Sequence, residues 1–258
     1  MEIKTYNVLW TGGFDSTYRI VSLSRKPVVI QPYYVVNDAR ESINEEKKAM
    51  KEILDILQKE DFVQAQILPI IYLQRKDYPP SNEIKSAYKI VKQKAKLGPQ
   101  YEWLSAISYE VPDLELCLEK SRNKPTKYDL YIRNANYDHS GEGYDEILTL
   151  NQDNDPNLLT LFGNFSFPKE VFRRTKEDFL TDFKAWGLDE IVGKTWFCSM
   201  PIDGEPCGYC APCRNVGRQG MLFRLPENSL RRYKHRALWL IRYKIIKTAK
   251  QINGSWQS

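Results

Sequence analysis

Two short stretches of the sequence carry residues whose types and spacing can do chemistry. The first, Thr11–Thr17 (TGGFDST), places two glycines, an aspartate and three hydroxyl side chains directly after an apolar run. Glycine lets backbone amides approach an anion closely, and the hydroxyl groups add hydrogen-bond donors. A helix that starts in this stretch adds unpaired amides and the positive end of its dipole. The stretch therefore predicts a phosphate-binding loop.

The loop residues are expected to divide the work. Phosphate is expected to be held by Gly12, Gly13, Ser16 and Thr17. Asp15 is expected to orient Mg²⁺ or the loop itself, and Asp15 and Ser16 are the predicted catalytic residues. The full predicted nucleotide-binding set in this region is Trp10, Thr11, Gly12, Gly13, Phe14, Asp15, Ser16 and Thr17. The alternative is a tight strand-to-helix turn that binds no ligand.

Two other kinds of phosphate loop are excluded here. The Walker pattern needs a lysine before its final serine or threonine, and none is present. The dinucleotide-binding fingerprint needs a third glycine, which does not follow.

The second stretch is a cluster of four cysteines. Cys198, Cys207, Cys210 and Cys213 are separated by eight, two and two residues. Four thiolates with no spare position form a closed tetrahedral site, which favours structural Zn²⁺. An iron–sulfur cluster is the second interpretation, and free or redox-active thiols are the third. The fifth cysteine, Cys117, lies in an apolar run and is predicted to be a small buried hydrophobe.

Periodicity predicts strands that alternate with helices, which favours an α/β fold with a doubly wound, mostly parallel sheet. The predicted strands are Lys4–Trp10, Val28–Val36, Gln66–Leu73, Leu114–Leu118, Tyr128–Ile132 and Leu158–Phe162. The predicted helices are Tyr18–Ser24, Ser42–Leu57, Glu83–Lys96, Tyr101–Tyr109, Thr175–Trp186 and Ser229–Gln251. Pro32 counts against the second strand because proline cannot donate to a sheet ladder. Tyr137–Pro156 is rich in Asp, Asn, Gly and Ser and is predicted to be a surface loop or lid.

Charge is divided unevenly along the chain. From Pro206 onward the sequence holds eleven lysines and arginines but one acidic residue, Glu227, so this tail carries about +10 and the remainder about −5. Such a tail indicates an anionic protein or RNA partner, or an acidic face of the same molecule or of a second subunit. We expect a homodimer and two domains: residues 1–190 as the nucleotide-binding domain and 191–258 as the metal-binding module with its basic helix. The composition shows no membrane-spanning run and no signal-peptide pattern, so no membrane association and a cytoplasmic location are expected.

The two motifs together resemble a known family. Thr11–Thr17 is similar to the PP-loop of N-type ATP pyrophosphatases, whose signature is Ser-Gly-Gly-x-Asp-Ser. Lys194–Cys213 (KTWFCSMPIDGEPCGYCAPC) resembles the C-terminal zinc block of 7-cyano-7-deazaguanine synthases, which also place Thr-Trp just before the first cysteine. Thr175–Asp178 resembles the start of the helix that leads into that block. The resemblance extends over about fifty residues at the two motifs and is loose between them.

This resemblance implies a Rossmann-like PP-loop (HUP) fold, with ATP, Mg²⁺ and Zn²⁺ as cofactors. It implies an ATP-dependent carbon–nitrogen ligase of queuosine biosynthesis that adenylates 7-carboxy-7-deazaguanine, or a related deazapurine, and converts it with ammonia to an amide and then a nitrile. It also implies that Lys176 reaches an ATP phosphate. The Tyr-Pro-Asp-Cys-Arg stretch of those enzymes has no counterpart here. This difference predicts that other residues hold the acceptor, with Gln100, Trp103 and the loop at 137–153 as candidates.

Three alternatives remain open from the sequence. In the first alternative, the same activation serves another acceptor, such as a protein, a peptide or another small molecule. In the second, the chain is a tRNA-modifying PP-loop protein that binds RNA with its basic tail. The third alternative is a nucleotide sensor or a partner-binding module without catalysis.

Overall fold

The computed structural model describes residues 3–121, 125–141, 145–243 and 245. The chain divides into two compact units. The first comprises Met1–Asn37 and Glu46–Thr195, and the second comprises Asp38–Glu45 and Trp196–Ser258. The sequence-based division at residue 190 stays a prediction about folding domains.

The first unit is an α/β structure built on one sheet. Its strands are β1 (Thr5–Leu9), β2 (Val29–Val36), β3 (Gln66–Ile67), β4 (Ile71–Gln74), β5 (Leu114–Glu115), β6 (Tyr137–Ser140), β7 (Ile147–Leu150) and β8 (Phe165–Pro168). Their order is β3-β2-β1-β5-β8-β7-β6, and β4 also pairs with β2. The pairs from β3 and β4 through β8 are parallel, whereas β7 is antiparallel to both β6 and β8. The predicted mostly parallel α/β sheet is confirmed.

Helices connect the strands of this unit. They are α1 (Phe14–Ser24), α2 (Ile43–Leu57), α3 (Asn82–Ala95), α4 (Gln100–Ser108), α5 (Lys127–Arg133), α6 (Pro156–Phe162), α7 (Lys169–Phe172), α8 (Lys176–Ala185) and α9 (Asp189–Lys194). The apolar core includes Leu9, Val91, Leu114, Phe162 and Phe167, from both strands and helices. Among residues 3–121, 125–141, 145–243 and 245, no helix combines the length and the apolar character that crossing a bilayer requires.

Pro32 is accommodated in the interior of β2 because its partner strand is interrupted. Carbonyls of Val28 and Ile30 accept hydrogen bonds from the β3 side, so the backbone of Pro32 faces the same side. On that side the pairing is interrupted, because β3 ends at Ile67 and β4 starts at Ile71. The Gln31 side chain bridges the gap by donating from Nε2 to Pro69 O at 2.9 Å. The missing proline amide therefore leaves no ladder bond unmade, and Gln66–Leu73 forms two short strands where the sequence predicts one.

Two predicted strands are wrong, because both segments are helical. Tyr128–Ile132 lies in α5, where Thr126 and Asp129 form a reciprocal capping box. Leu158–Phe162 lies in α6, where the Asp155 side chain accepts from Asn157 N and Pro156 occupies the first turn. Short apolar runs fit a strand or a buried helix equally well, and the capping residues decide between them.

Three further predictions need correction. The segment 137–156 includes the hairpin strands β6 and β7, although it was predicted to be a loop. Strand β5 ends at Glu115, well before Leu118. The predicted helix Ser229–Gln251 is broken: α11 spans Glu227–Lys234, residue 235 is a turn, and residues 236–243 are helical again. The end of that predicted helix, apart from residue 245, lies outside the described residues.

The second unit contains α10 (Ala211–Arg218) and α11. Its core cluster consists of Tyr209 and the four clustered cysteines, which are all buried. Trp196, Trp239 and Tyr243 pack around that cluster, and the Tyr209 ring stacks on Trp239 with their centroids 6.4 Å apart.

Candidate functional site

The order in which the chain adds strands to the sheet reverses at β1. From β1 the chain moves to β2 on one side and later to β5 on the other, so β1 and β5 are neighbours. In open parallel sheets, ligands bind outside the carboxyl ends of the strands at such a switch point. The loop after β1 is the predicted phosphate loop, and the loop after β5 runs beside it.

Gly12 makes the turn from β1 into α1 possible. Its φ is +67°, a left-handed conformation that favours glycine. A Cβ atom at this position would lie 3.0 Å from Glu46 O and 3.1 Å from Ala49 Cβ, both on α2. Gly13 follows in an extended conformation as the N-cap, and α1 begins at Phe14. A side chain at Gly12 would therefore strain the backbone and push against α2.

The first turn of α1 presents free amide groups. Thr17 N donates to Gly13 O at 3.0 Å, which closes the first helical turn. The backbone amides of Gly13, Asp15 and Ser16 donate to no group in the described part of the chain. Unpaired amides at a helix N-terminus, together with the helix dipole, attract an anion.

The predicted loop residues differ in what their side chains do. Trp10 and Thr17 are fully buried, and Trp10 Nε1 donates to Thr17 Oγ1 at 3.0 Å. The Phe14 ring packs between Phe179 and Phe183 of α8. These three side chains therefore fix the loop from inside the protein. Thr11 is half-buried, and the Ser16 hydroxyl lies 3.5 Å from Gly13 O, at the limit of a hydrogen bond.

Lys176 joins the loop to a carboxylate that the sequence did not reveal. Its Nζ atom lies 3.3 Å from Asp15 Oδ1 and 2.7 Å from Glu119 Oε1. Lys176 is the first residue of α8, and Glu119 lies in the loop after β5. Asp15 Oδ1 is buried and forms no hydrogen bond of good geometry among the described residues. Two carboxylates and one ammonium group thus meet beside the free amides of α1.

Burial and mutual repulsion set the protonation of this cluster. Burial, followed by the nearby Glu119 carboxylate, raises the pKa of Asp15 far above its ordinary value. Burial opposes ionisation of Glu119 as well, but the Lys176 ammonium outweighs it and lowers the pKa of Glu119. The two carboxylates likewise outweigh burial at Lys176 and raise its pKa. Asp15 is therefore the group whose negative charge is the most costly in the absence of an added cation.

This cost predicts that Asp15→Asn stabilises the unliganded protein at alkaline pH. A raised folded-state pKa means that stability is lost as pH rises above the ordinary aspartate pKa of about 4. The variant should match the wild type near that pH and melt about 2–4 °C higher near pH 8, which corresponds to ~1 kcal/mol for a chain of this size. Thermal unfolding at both pH values measures the difference, with Asp61→Asn on an exposed segment as the control. A variant that melts below the wild type at alkaline pH would contradict this electrostatic picture.

A second charged network lies one turn further along α1. Arg19 donates from Nε and Nη2 to both oxygens of Glu115 at 2.8 and 2.7 Å, and from Nη1 to Glu170 Oε1 at 2.6 Å. Ser22 Oγ donates to Glu170 Oε2 at 2.7 Å, and all four residues are buried. The network anchors α1 to the end of β5 and to α7. It thereby fixes the loops that follow β1 and β5.

Cys117 lies in the loop between Glu115 and Glu119. Burial raises the pKa of its thiol well above its ordinary value, and the Glu115 carboxylate adds to the effect. A raised pKa disfavours the thiolate, which is the nucleophilic form of a cysteine.

The four clustered cysteines form a compact sulfur site. All their Sγ atoms lie within 4.8 Å of one another. Individual separations are 3.8 Å for Cys198–Cys210, 3.8 Å for Cys207–Cys213 and 3.3 Å for Cys210–Cys213. Four sulfurs at the usual zinc–sulfur distance form a tetrahedron with edges of about 3.8 Å. The donor set and its dimensions fit a metal ion such as Zn²⁺.

Backbone amides surround the sulfurs and favour their thiolate form. Cys198 Sγ accepts from Cys207 N at 3.1 Å and from Met200 N at 3.4 Å. Cys207 Sγ accepts from Cys210 N at 3.3 Å and from Tyr209 N at 3.5 Å. Amide-to-sulfur bonds of this kind orient metal ligands and offset their charge.

Gly208 lets α11 approach the sulfur site. Its φ is +82°, and a Cβ atom there would lie 2.3 Å from Ser229 O on α11. Ser229 Oγ donates to Pro206 O at 2.5 Å, and Arg232 Nε donates to Cys207 O at 3.1 Å. The start of α11 is thus attached to the turn that carries Cys207 and Cys210.

No protein-family model matches this chain, and no curated protein matches it either.

Two of the candidate acceptor regions, Trp103 and the described part of 137–153, make the following contacts away from the charged cluster. The guanidinium carbon of Arg75 lies 5.6 Å from the centroid of the Trp103 ring on α4. Arg75 also donates to Asn37 Oδ1 at 3.2 Å. Asn37 follows β2, so this group lies at the carboxyl edge of the sheet. Within 137–153 the hairpin β6–β7 forms the edge of the sheet farthest from β1. One feature of the sequence pointed to Glu119, which is its position just after a strand. That feature becomes informative only once the strand order shows that this strand, β5, lies beside β1.

Proposed function

We propose that the first unit is a PP-loop ATP pyrophosphatase domain that transfers AMP from ATP to a carboxylate. The observation that carries this proposal is the set of unpaired amides at the start of α1, located at the switch point beside Asp15, Glu119 and Lys176. The strand order around β1 and the glycine turn support it. So does the resemblance of Thr11–Thr17 to the PP-loop signature.

The loop would bind the β- and γ-phosphates that leave as pyrophosphate. The amides of Gly13, Asp15 and Ser16 offer donors that no described residue occupies, and the α1 dipole adds positive potential. Lys176 would exchange one of its carboxylate partners for a phosphate oxygen. Its position at the start of α8, held by the Thr175 capping box, keeps the ammonium group within reach of the loop.

Asp15 and Glu119 would hold the magnesium ion that accompanies ATP. Hard carboxylate oxygens are the ligands that Mg²⁺ prefers, and Asp15 Oδ1 lacks a well-formed hydrogen bond. The cation, when bound, neutralises charge on the phosphates. It would also offset the burial and the repulsion by Glu119 that raise the pKa of Asp15. The energetic cost of the unliganded cluster thus becomes a contribution to binding.

The proposed reaction has three stages. A carboxylate oxygen of the acceptor attacks the α-phosphorus of ATP, the bond to the bridging oxygen breaks, and pyrophosphate leaves. Ammonia then attacks the acyl carbon, AMP leaves, a proton is released, and an amide forms. A second adenylation, on the amide oxygen, followed by loss of AMP and two protons would give a nitrile.

The resemblance of the cysteine block to that of 7-cyano-7-deazaguanine synthases supports 7-carboxy-7-deazaguanine, or a related deazapurine, as the acceptor. The sulfur site would hold Zn²⁺ as a structural ion, because four cysteines leave no position for substrate. The expected homodimer stays a prediction. A tRNA-thiolating enzyme needs a catalytic cysteine. With the four clustered cysteines proposed as zinc ligands, the half-buried Cys117 alone would remain, which argues against that alternative.

Incubation with Mg²⁺-ATP, ¹⁵N-ammonium and 7-carboxy-7-deazaguanine tests the acceptor. We expect mass spectrometry to find a ¹⁵N-labelled amide, and then the nitrile, at an enzyme-like rate of about 1–1,000 per second. Labelled product should depend on ATP and on the native loop.

Two other outcomes would change the proposal. Accumulation of the adenylate or the amide would indicate that the final acceptor is another molecule, such as a protein or a peptide. No consumption of ATP with any deazapurine would remove the deazapurine assignment.

A further inference from the structure

Arg133, the last residue of α5, fastens two backbone segments together. Its Nη2 donates to Glu119 O at 2.6 Å and lies 3.4 Å from Leu118 O. Its Nη1 donates to Phe172 O, and the guanidinium carbon lies 4.4 Å from the centroid of the Phe172 ring. One planar group thus contacts the loop after β5 and the end of α7 at once.

Both segments carry a charged side chain of the candidate site. The loop after β5 carries Glu119. A three-residue connection joins the end of α7 to Lys176, the first residue of α8. The Nζ atom of Lys176 lies 2.7 Å from Glu119 Oε1. A backbone bond between the same segments, from Lys120 N to Arg174 O at 2.8 Å, runs alongside. Movement of the Arg133 guanidinium would therefore displace both partners of the ion pair relative to α1.

The contacts of Arg133 are unusual for a half-buried cation. Within residues 3–121, 125–141, 145–243 and 245 it forms no ion pair with a carboxylate, and its buried Nε has no hydrogen-bond partner. Burial lowers the pKa of the guanidinium, although not enough to discharge it. Neutral side chains could fill this space without the desolvation cost. The feature that an arginine adds is a rigid fork that reaches carbonyls in two segments together.

We propose that Arg133 is a positioning residue that sets the distance between Glu119, Lys176 and Asp15 for cation and phosphate binding. This inference rests on the proposed function of the same site. It assigns Arg133 no contact with substrate. Groups that orient metal ligands typically change metal affinity by about 10–100-fold when they are replaced.

The test uses three full-length variants. Arg133→Gln removes the fork, and Arg133→Lys keeps a positive charge that cannot bridge both segments. Arg173→Gln is the matched control. Exposed Arg173 lies over the same Phe172 ring at 5.7 Å, and in the described part of the chain its side chain bonds to no backbone carbonyl. Pyrophosphate release is measured against Mg²⁺ concentration. Hydrogen exchange of the amides at 116–121 and 173–177 is measured without nucleotide.

We expect both Arg133 variants to need about 10–100-fold more Mg²⁺ for half-maximal rate, while Arg173→Gln matches the wild type. Exchange should accelerate in the two segments of the Arg133 variants and stay unchanged elsewhere. Full rescue by Arg133→Lys, or unchanged Mg²⁺ dependence in Arg133→Gln, would overturn the inference. If the wild type releases no pyrophosphate, the proposed function fails. The exchange measurement then still decides whether Arg133 fastens the two segments.

Discussion

Replacing Cys207 with serine should strip the metal from the second unit and unfold that unit. A buried core cluster of the unit consists of Tyr209 and the four cysteines, so the packing around it depends on the sulfurs being held together. Binding of structural zinc contributes about 10–16 kcal/mol in small metal-dependent modules, and that energy is folding energy. The change also replaces the sulfur that accepts from the amides of Tyr209 and Cys210 with a hydroxyl group on a shorter bond. Of the substitutions considered, this one should have the largest effect on stability.

Elemental analysis and thermal unfolding measure the effect together. The wild type should contain close to one zinc per chain and show no visible absorbance. Cys207→Ser should lose most of the metal and one unfolding transition, whereas Cys117→Ala should retain the metal. Specific activity of the remaining folded protein should fall less than its folded fraction. Iron with a brown colour, or a zinc-free Cys207→Ser protein that melts like the wild type, would contradict a structural zinc site.

The sequence was most informative where chemistry depends on nearby residues. The TGGFDST turn and the four cysteines each lie within a short segment, so spacing alone predicts what they can bind. In the structure, the turn ends β1 and starts α1, and the four sulfurs lie together. Lys176 lies beside Asp15, but its pairing with Glu119 was not foreseen.

Glu119 and Arg133 could not be found in this way because their roles depend on strand order. Glu119 reaches Lys176 only because β5 is hydrogen-bonded to β1, far away in sequence. Arg133 was predicted to follow a strand, whereas it ends a helix whose capping box is at Thr126. Sequence periodicity over a few apolar residues does not separate these two structures. The same limit explains the wrong strand predicted in α6.

The charged β6–β7 region shows a different limit. Its composition predicts a loop, and the backbone nevertheless pairs Tyr137 with Leu150 and His139 with Leu148. Ile147–Leu150 is a short, mostly buried apolar run, but β6 is mostly exposed and polar. Cross-strand packing on β8 stabilises this hairpin, and that partner lies outside the window that sequence patterns examine.

Replacing Asp15 with alanine should abolish nucleotide chemistry while leaving the fold intact. Asp15 lies in the first turn of α1, beside the free amides and within 3.3 Å of Lys176. Its loss removes one of the two proposed cation ligands and leaves Lys176 paired with Glu119 alone. Electrostatic stabilisation by a positioned cation amounts to several kcal/mol, which corresponds to a rate loss of about 10³-fold or more. Removal of the Asp15 carboxylate should not lower the free energy of unfolding, because burial makes its ionisation unfavourable without a cation.

The central claim is tested most directly by the phosphorus products of ATP. Phosphorus NMR should follow Mg²⁺-ATP in the presence of ammonium and 7-carboxy-7-deazaguanine, with wild type, Asp15→Ala and the exposed control Asp61→Ala. If the protein is a PP-loop enzyme, we expect AMP and pyrophosphate in equal amounts from the wild type and from the control. We expect neither product from Asp15→Ala. Release of ADP and phosphate, or pyrophosphate release that survives in Asp15→Ala, would contradict the account.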